Sequence, residues 1–550
     1  MVRSISHASR HSGGVRSPAQ DGAAAAAQSA QERERSTAGA GQQPGGLARR
    51  RKRARDAAAA PQPGLAQAPS ADGRLVVVSN RMVDPSKAAA GGVAVALADT
   101  MHGNEGLWMG WSGEIGGRPG TPKIRTQPFG KSTLVGMDLS RAQFNHYYSG
   151  FYNSVLWPVM QNSAQWADLK PSHYGVYRQV NRIFASQLAP LLRDDDVLWI
   201  HDCHLIPLAE ELRKLGCRQR IGFFNHSPFP APDVFKAIPQ HGELMQSLFS
   251  YDLVGMQIPR DVDHLREYVR AEHAQEAEDG KTLQAYGRRI QLEHFPIGID
   301  FQNLMELKPN TDSDWILDKV RAEKDQGRML MVGVERLDYA KGIPDRLSAL
   351  GDLLERRADL RGKVTFVQIG APSRQNVQAY ADLARNTRKL VDAINQRYGT
   401  ESWQPILYID QSVQRNALPD IYRMSRVGVV TSVADGMNLV SKEYVATQDA
   451  KDPGVLVLSE GAGAAYQLKD AIQVPPSNLQ AITRAYEQAL SMGPDERRER
   501  HARLLDNVRT EDLTQWRSNY LSALRSVPTA APGDGSSVSG RDAKRGRSSA

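Results

Sequence analysis

Cysteine is nearly absent from this chain: its 550 residues hold two, Cys203 and Cys217. No Cys-x-x-Cys pair exists, which argues against a structural zinc site and excludes a disulfide framework. A reducing compartment, the cytoplasm, is the expected location. Long apolar runs are missing too. No stretch reaches the roughly 18 residues of a membrane-spanning helix, so no membrane partner is expected. The formal charge is +8, but residues 1–72 carry 11 Lys and Arg against 5 Asp and Glu, and residues 527–550 carry 4 against 2. The stretch between is neutral, which argues against a nucleic-acid partner.

What remains is a globular composition, 41% hydrophobic and 24% charged with 8 tryptophans, enough for a large core in two or three domains. Residues 1–72 and 527–550 are rich in Ala, Gly, Ser, Pro and Arg and are expected as disordered tails. The basic cluster Arg49–Arg55 reads either as a nuclear-localisation or polyanion-binding patch or, more plainly, as solvated tail. The first 20 residues lack acids and carry Ser and Arg, a weak transit-peptide likeness. No apolar segment follows them, so a secretory signal is not expected.

From Arg74 onward, short apolar runs alternate with amphipathic stretches. Strands are expected at 74–79, 197–201, 220–225, 329–334, 363–369, 405–409, 426–431 and 454–458. Helices are expected at 174–191, 206–215, 344–357, 374–397, 417–424 and 479–491. Such alternation implies parallel sheets covered by helices, an α/β fold. The units are too many for one small doubly wound sheet, and two Rossmann-like domains fit better than an eight-fold barrel. Pro296-Ile297-Gly298-Ile299-Asp300 is the natural link. The expected division is an N-terminal domain at 73–300, a second at 301–500 and a closing helix at 501–526.

The chemistry gathers at strand ends. Arg336 and Lys341 follow the run Met329–Val334 and precede Gly342. In α/β folds ligands bind at the carboxyl edge of the strands. Two cations there suit a diphosphate, above all one leaving as an anion; surface cations beside a helix start are the plain alternative. Asp435-Gly436-Met437-Asn438 follows another strand, and a glycine turn opening a helix offers backbone N–H groups to phosphate or sugar oxygens. Glu443 lies eight residues beyond Asp435, near two helical turns, so both acids can line one cleft. Against this stands an N-cap aspartate with a solvated glutamate. His201-Asp202-Cys203-His204 ends a third strand. Its alternating residues point opposite ways and make a poor metal site, whereas Asp202 suits a base or hydroxyl acceptor. His226 ends the next strand at the same edge. Ser79-Asn80-Arg81 ends the first strand and precedes Gly91-Gly92. Trp108, Trp111 and the aromatics from Tyr148 to Trp157 serve either core packing or sugar stacking.

These motifs resemble the trehalose-6-phosphate synthase family. They are Ser79-Asn80-Arg81, Gly91-Gly92, Trp108-x-Gly-Trp111, Leu156-Trp157-Pro158, His201-Asp202, His226 with Pro228-Phe229-Pro230, Arg336-Leu337-Asp338-Tyr339 and Asp435-Gly436-Met437-Asn438-Leu439-Val440. The likeness runs in order through about 74–525. It implies a GT-B fold, two Rossmann-like domains facing across a cleft. It implies retaining transfer of glucose from a nucleoside-diphosphate glucose, UDP-glucose first, to glucose 6-phosphate, giving α,α-trehalose 6-phosphate. No cofactor or catalytic metal is implied, and the family's homotetramer suggests a homo-oligomer. Carried over residue by residue, Arg336 and Lys341 neutralise the leaving diphosphate. Asp435 holds the donor glucose with the amides of Gly436, Met437 and Asn438, and Glu443 grips the ribose. Leu418, Leu439 and Val440 lie around the nucleotide, Gly92 contacts phosphate, and His226 reaches the transferred glucose. Arg81, Tyr148, Trp157 and Arg374 form the acceptor pocket, with Asp202 on an acceptor hydroxyl.

The chain departs from the pattern in places. Cys203 stands for a tyrosine, Met160-Gln161-Asn162 for Phe-His-Tyr, Asn225 and Ser227 for apolar residues, Ala340 for a serine, Ala434 for an arginine and Gly461 for a phenylalanine. Several of these changes are expected on the acceptor side. The alternative is therefore a same-family transferase with another phosphorylated acceptor, of glucosylglycerol-phosphate or pseudo-sugar coupling type, and GDP or ADP in the donor stays open.

Overall fold

The computed structural model describes residues 73–84, 92–116, 121–272, 275–309, 311–374 and 377–528. The expected tail 1–72 with its basic cluster, Gly91 and all but two residues of the tail 527–550 lie outside them.

Strand β1 (Leu75–Arg81) shows how the apolar runs work. Leu75 and Val77 join one hydrophobic cluster while Val76 and Val78 join another. Side chains alternate across a strand, so an unbroken apolar run is the mark of a parallel strand buried on both faces. The first sheet is completed by β2 (Gly106–Ile115), β3 (Ile124–Phe129), β4 (Ser132–Leu139), β5 (Val197–His201), β6 (Arg220–Phe224), β7 (Leu253–Met256), β8 (Gln275–Glu276), β9 (Thr282–Ala285) and β10 (Arg288–His294). Its order is β3-β4-β2-β1-β5-β6-β7-β10-β9-β8. The interior pairs are parallel, and antiparallel pairing is confined to the β3 and β9–β8 edges.

The second sheet comprises β11 (Met329–Arg336), β12 (Val364–Ala371), β13 (Ile406–Ile409), β14 (Val427–Val430), β15 (Val455–Ser459) and β16 (Ile472–Val474), all parallel, in the order β13-β12-β11-β14-β15-β16. Each sheet reverses its winding direction once at its centre, between β1 and β5 and between β11 and β14. Such switch points leave a crevice at the strands' carboxyl ends. The sequence places Arg81 and Asp202 at the first and Lys341 and Asp435 at the second.

The two sheets share a core. One cluster runs from Val77 and Trp199 through Ile297 and Ile299 to Val332 and Leu458. Within it the buried Lys442 ties the link to the second sheet, donating to the Ile297 carbonyl at 2.8 Å and to Gln467 Oε1 at 2.6 Å. Burial lowers its pKa to about 7. The chain closes with two helices, Pro494–Thr510 and Leu513–Ser526, so the boundary expected at 501 falls inside the first of them. They are parted where Asp512 accepts a capping bond from the Gln515 amide at 2.8 Å. The second returns to the first sheet, where Trp516 and Tyr520 pack on Trp199 at 5.0 and 4.9 Å. Among the described residues no helix is long and apolar enough to cross a membrane.

Candidate active site

At the β11/β14 switch point the Lys341 ammonium meets the Asp435 carboxylate at 2.6 Å. Asp435 also accepts from Asn438 Nδ2 at 3.0 Å and Ser432 Oγ at 3.4 Å. Asn438 caps the helix Leu439–Thr447 by accepting from the Ser441 amide at 3.0 Å. Two exits are thereby pinned together. The Val433 amide donates to the Ala340 carbonyl at 2.7 Å. Gly342, at φ +63°, packs so closely that a Cβ would lie 2.2 Å from the Thr431 carbonyl oxygen. Only glycine adopts that backbone and closeness without strain.

Beneath Lys341 lies a pair with no local signal in the chain. The fully buried Arg346 is ion-paired to Glu335 and donates to Thr431 Oγ1 at 3.0 Å and Gln368 Oε1 at 3.1 Å. It thus braces β11, β12 and β14 under the site. Arg336, in contrast, points out at the strand end. It has no hydrogen-bond or ion-pair partner among the described residues, so its guanidinium is available to an anion.

Glu443 lies in the same helix as Leu439 and Val440, buried and 3.6 Å from Arg415 Nη2. Burial pushes its pKa up, against the pull of Arg415. Leu418 opens the neighbouring helix Leu418–Met424. Gly92 opens the helix Gly92–Gly103 at the edge of the described residues.

Across the cleft, Asp202 exits β5 at φ +73°, a conformation that non-glycine residues seldom adopt. Its carboxylate faces Ser227 Oγ at 3.4 Å and His204 Nδ1 at 3.5 Å. Burial works to raise the Asp202 pKa, but His204, with His226 behind it, outweighs that and holds the carboxyl well below its usual range. Burial lowers the pKa of His204 itself, against the raising effect of Asp202. His226 is oriented by His201, Nε2 to Nδ1 at 3.0 Å. This bond between neighbouring strand exits explains why both histidines are present. Burial lowers His226 to about 4, against the raising effect of Asp202. His226 is therefore expected to stay neutral from pH 5 to 8. Because its folded value lies below the unfolded one of about 6.5, its stability contribution should be lost as pH falls from about 6.5 through 4. An NMR titration of its ring protons, assigned with His226→Gln, should show a midpoint below about 5; a midpoint near 6.5 contradicts the burial argument.

The two halves touch here. A Cβ on Gly436 would lie 2.0 Å from the His226 carbonyl oxygen, so the Asp435 turn packs directly on the His226 loop. A second meeting lies further along the cleft. The Arg374 guanidinium, from the β12 exit, sits over the Trp157 ring at 4.0 Å. It is anchored by Asp338 at 2.8 Å and by Tyr380. Asp338 is fully buried and also accepts from Tyr380 Oη at 3.1 Å. From Trp157 an aromatic chain runs through Tyr152 at 6.1 Å, Tyr148 at 6.1 Å and Trp111 at 5.5 Å, where Arg81 lies 5.5 Å over the ring. Arg81, Tyr148, Trp157 and Arg374 thus border one aromatic-lined region. The helix Phe144–Leu156 that carries Tyr148 is wound wider than an α-helix, with the Trp157 amide bonded to the Tyr152 carbonyl. Such stretches are frequent at functional sites.

Five of the departures from the family pattern fall in two places. Cys203 is fully buried behind the Asp202 exit, and burial pushes its thiol pKa up. Met160, Asn162, Ala434 and Gly461 line a single cavity of about 280 Å³ with Pro228–Ala231, on the outer side of the loops that carry His226 and Asp435. Among the described residues no group of three or more His, Cys, Asp or Glu side chains is arranged to hold a metal ion.

Comparison with known proteins fits this geometry. The family described as Glycosyltransferase family 20 matches residues 74–526. A trehalose-6-phosphate synthase of Enterobacter sp. (strain 638) is 40% identical over 457 residues, 82% of this chain and 95% of that one. The crystal structure of an alpha,alpha-trehalose-phosphate synthase (UDP-forming) from Burkholderia xenovorans in complex with glucose-6-phosphate superposes with a TM-score of 0.78 at 38% identity, covering 82% of this chain and all of that one. A structure described as trehalose-6-phosphate from E. coli bound with UDP-2-fluoro glucose gives the same TM-score and identity, covering 83% of this chain and all of that one.

Proposed function

The chain belongs to glycosyltransferase family 20, and on that premise we propose that its cleft transfers glucose from UDP-glucose to glucose 6-phosphate, releasing UDP and α,α-trehalose 6-phosphate. The observation that carries this reading is the meeting of Lys341 and Asp435 beside the unpaired Arg336, closed against His226 by Gly436. A second cationic and aromatic pocket, Arg374 over Trp157, stands apart from it. One cationic site suits the diphosphate of a donor, the other the phosphate of an acceptor.

In this reading Arg336 and Lys341 take up the charge that grows on the departing diphosphate. Asp435 and the amides of Gly436, Met437 and Asn438 hold the transferred glucose, and His226 reaches it as a neutral imidazole. Gly92 approaches donor phosphate. Glu443 accepts from the ribose, and Leu418, Leu439 and Val440 flank the nucleotide. Arg81, Tyr148, Trp157 and Arg374 receive glucose 6-phosphate, with Asp202 on one of its hydroxyls.

The acids around the donor site are already engaged: Asp435 by three donors, Glu443 by Arg415, Glu335 by Arg346 and Asp338 by Arg374. That favours a single same-face substitution over a carboxylate nucleophile. The bond from sugar C1 to the diphosphate oxygen breaks, the acceptor O1 bonds to C1 from the same face, and its proton passes to a departing phosphate oxygen. A cytoplasmic location and a homo-oligomeric, tetrameric assembly complete the reading. The first is supported by Cys203 and Cys217 standing unpaired, the second by the family likeness alone.

The test is nucleoside-diphosphate release from UDP-glucose, with and without glucose 6-phosphate and with the product weighed by mass spectrometry. Acceptor-dependent UDP release with a disaccharide phosphate is expected. Release that ignores the acceptor contradicts the reading.

A further inference from the structure

Trp166 is 56% exposed, the most exposed large apolar side chain among the described residues. It belongs to the short helical turn Ala164–Trp166, which follows the helix Trp157–Met160. The segment between these tryptophans reaches across the cleft twice. Trp157 is 8% exposed and wholly committed to the Arg374 guanidinium at 4.0 Å. Trp166 lies on the Tyr339 ring, centroids 6.4 Å apart and planes 29° from parallel. Tyr339 sits 5.2 Å from Tyr380, the ring that with Asp338 anchors Arg374. Two rings, Tyr339 and Tyr380, thus stand between the outer tryptophan and the proposed acceptor anchor, and most of its surface is still open.

A scattered exposed aromatic needs no explanation on its own. This one meets a residue of the other half, Tyr339, on a path of rings that leads through Tyr380 to Arg374 and the second tryptophan, Trp157. Indole faces stack on the C–H faces of hexoses and carry large contact area at little entropic cost. We propose that Trp166 is an acceptor-specificity residue. Its indole caps the bound acceptor hexose, and its contact with Tyr339 completes the closure that keeps water from the donor glucose. This rests on the reading above that Trp157 and Arg374 receive the acceptor.

The experiment compares the full chain with Trp166→Ala and Trp166→Phe. It measures KM for glucose 6-phosphate, KM for UDP-glucose, thermal midpoint, and the ratio of free glucose to disaccharide formed. Trp166→Ala should raise the acceptor KM about tenfold, as a lost stacking contact of up to about 1.5 kcal/mol requires. The free-glucose share should rise with it, while the donor KM and thermal midpoint hold. Trp166→Phe should recover much of the loss. An acceptor KM and free-glucose share unchanged in Trp166→Ala overturn the proposal. So does a joint rise in both KM values that phenylalanine does not repair, which marks a structural strut. A wild-type enzyme that ignores glucose 6-phosphate overturns the acceptor reading itself and this inference with it.

Discussion

Replacing Arg336 by alanine is expected to cut the rate of acceptor-dependent UDP release by about 10²–10³-fold, the usual cost of removing one group aimed at developing charge. Most cations around this cleft are spoken for: Lys341 by Asp435, Arg346 by Glu335, Arg374 by Asp338, Arg415 by Glu443. Arg336 stands at the end of β11 without a partner among the described residues. A cation held free at a switch point costs the fold nothing when removed, so the variant's thermal midpoint should match wild type. Lys341→Ala should lose comparable activity and also weaken donor binding, because it releases Asp435 from its 2.6 Å bond. Steady-state kinetics on both variants decide the matter. A loss below about fivefold in Arg336→Ala would remove it from the leaving-group role, since one well-aimed donor is worth far more than that.

Arg374→Gln should damage acceptor use just as heavily, but selectively. Truncating one member of a hydrogen-bonded charge pair in a buried site costs about 2–5 kcal/mol, or upwards of about 30-fold in affinity. In the proposed role the lost group both contacts the acceptor phosphate and neutralises Asp338. The kcat/KM for glucose 6-phosphate should fall by about 10²-fold or more, and its preference over unphosphorylated glucose should collapse. Slow hydrolysis of UDP-glucose without acceptor should persist. Arg374→Lys should rescue little, because the planar guanidinium both stacks on Trp157 at 4.0 Å and bonds Asp338. Pairing Arg374→Gln with Asp338→Asn separates the two contributions. If the double variant regains acceptor use, the defect was the stranded carboxylate and not the phosphate contact.

Much of the fold was legible because parallel strands buried on both faces must be continuously apolar. The runs at 74–79, 197–201, 329–334 and 426–431 are β1, β5, β11 and β14 within two residues at either end. Those four strands set both switch points, so the positions of Arg81, Asp202, Lys341 and Asp435 followed. β2 was missed because Trp108-Met109-Gly110-Trp111 reads as an aromatic cluster with a glycine breaker, although its first six residues are buried. The antiparallel edges and the return of the helix Leu513–Ser526 to the first sheet leave no local signal, since both depend on which distant surface is free. The site divides the same way. Residues that end strands could be picked from the chain. The groups that hold them could not: His201 against His226, Asp338 and Tyr380 around Arg374, Arg346 under Lys341 and Arg415 beside Glu443. Their partners lie 25 to more than 80 residues off, or on neighbouring loops, where periodicity carries no information. The cavity shared by Met160, Asn162, Ala434 and Gly461 is a like case: four changes scattered in sequence become one feature in space.

One claim is central: glucose leaves UDP and joins glucose 6-phosphate with its α configuration at C1 retained. The most direct measurement is the anomeric configuration of the product formed from UDP-α-glucose and glucose 6-phosphate, read by proton NMR. An α,α-1,1-linked disaccharide phosphate and UDP in equal amounts are expected. A β-configured transferred glucose, or UDP formed together with free glucose and no disaccharide, would contradict it.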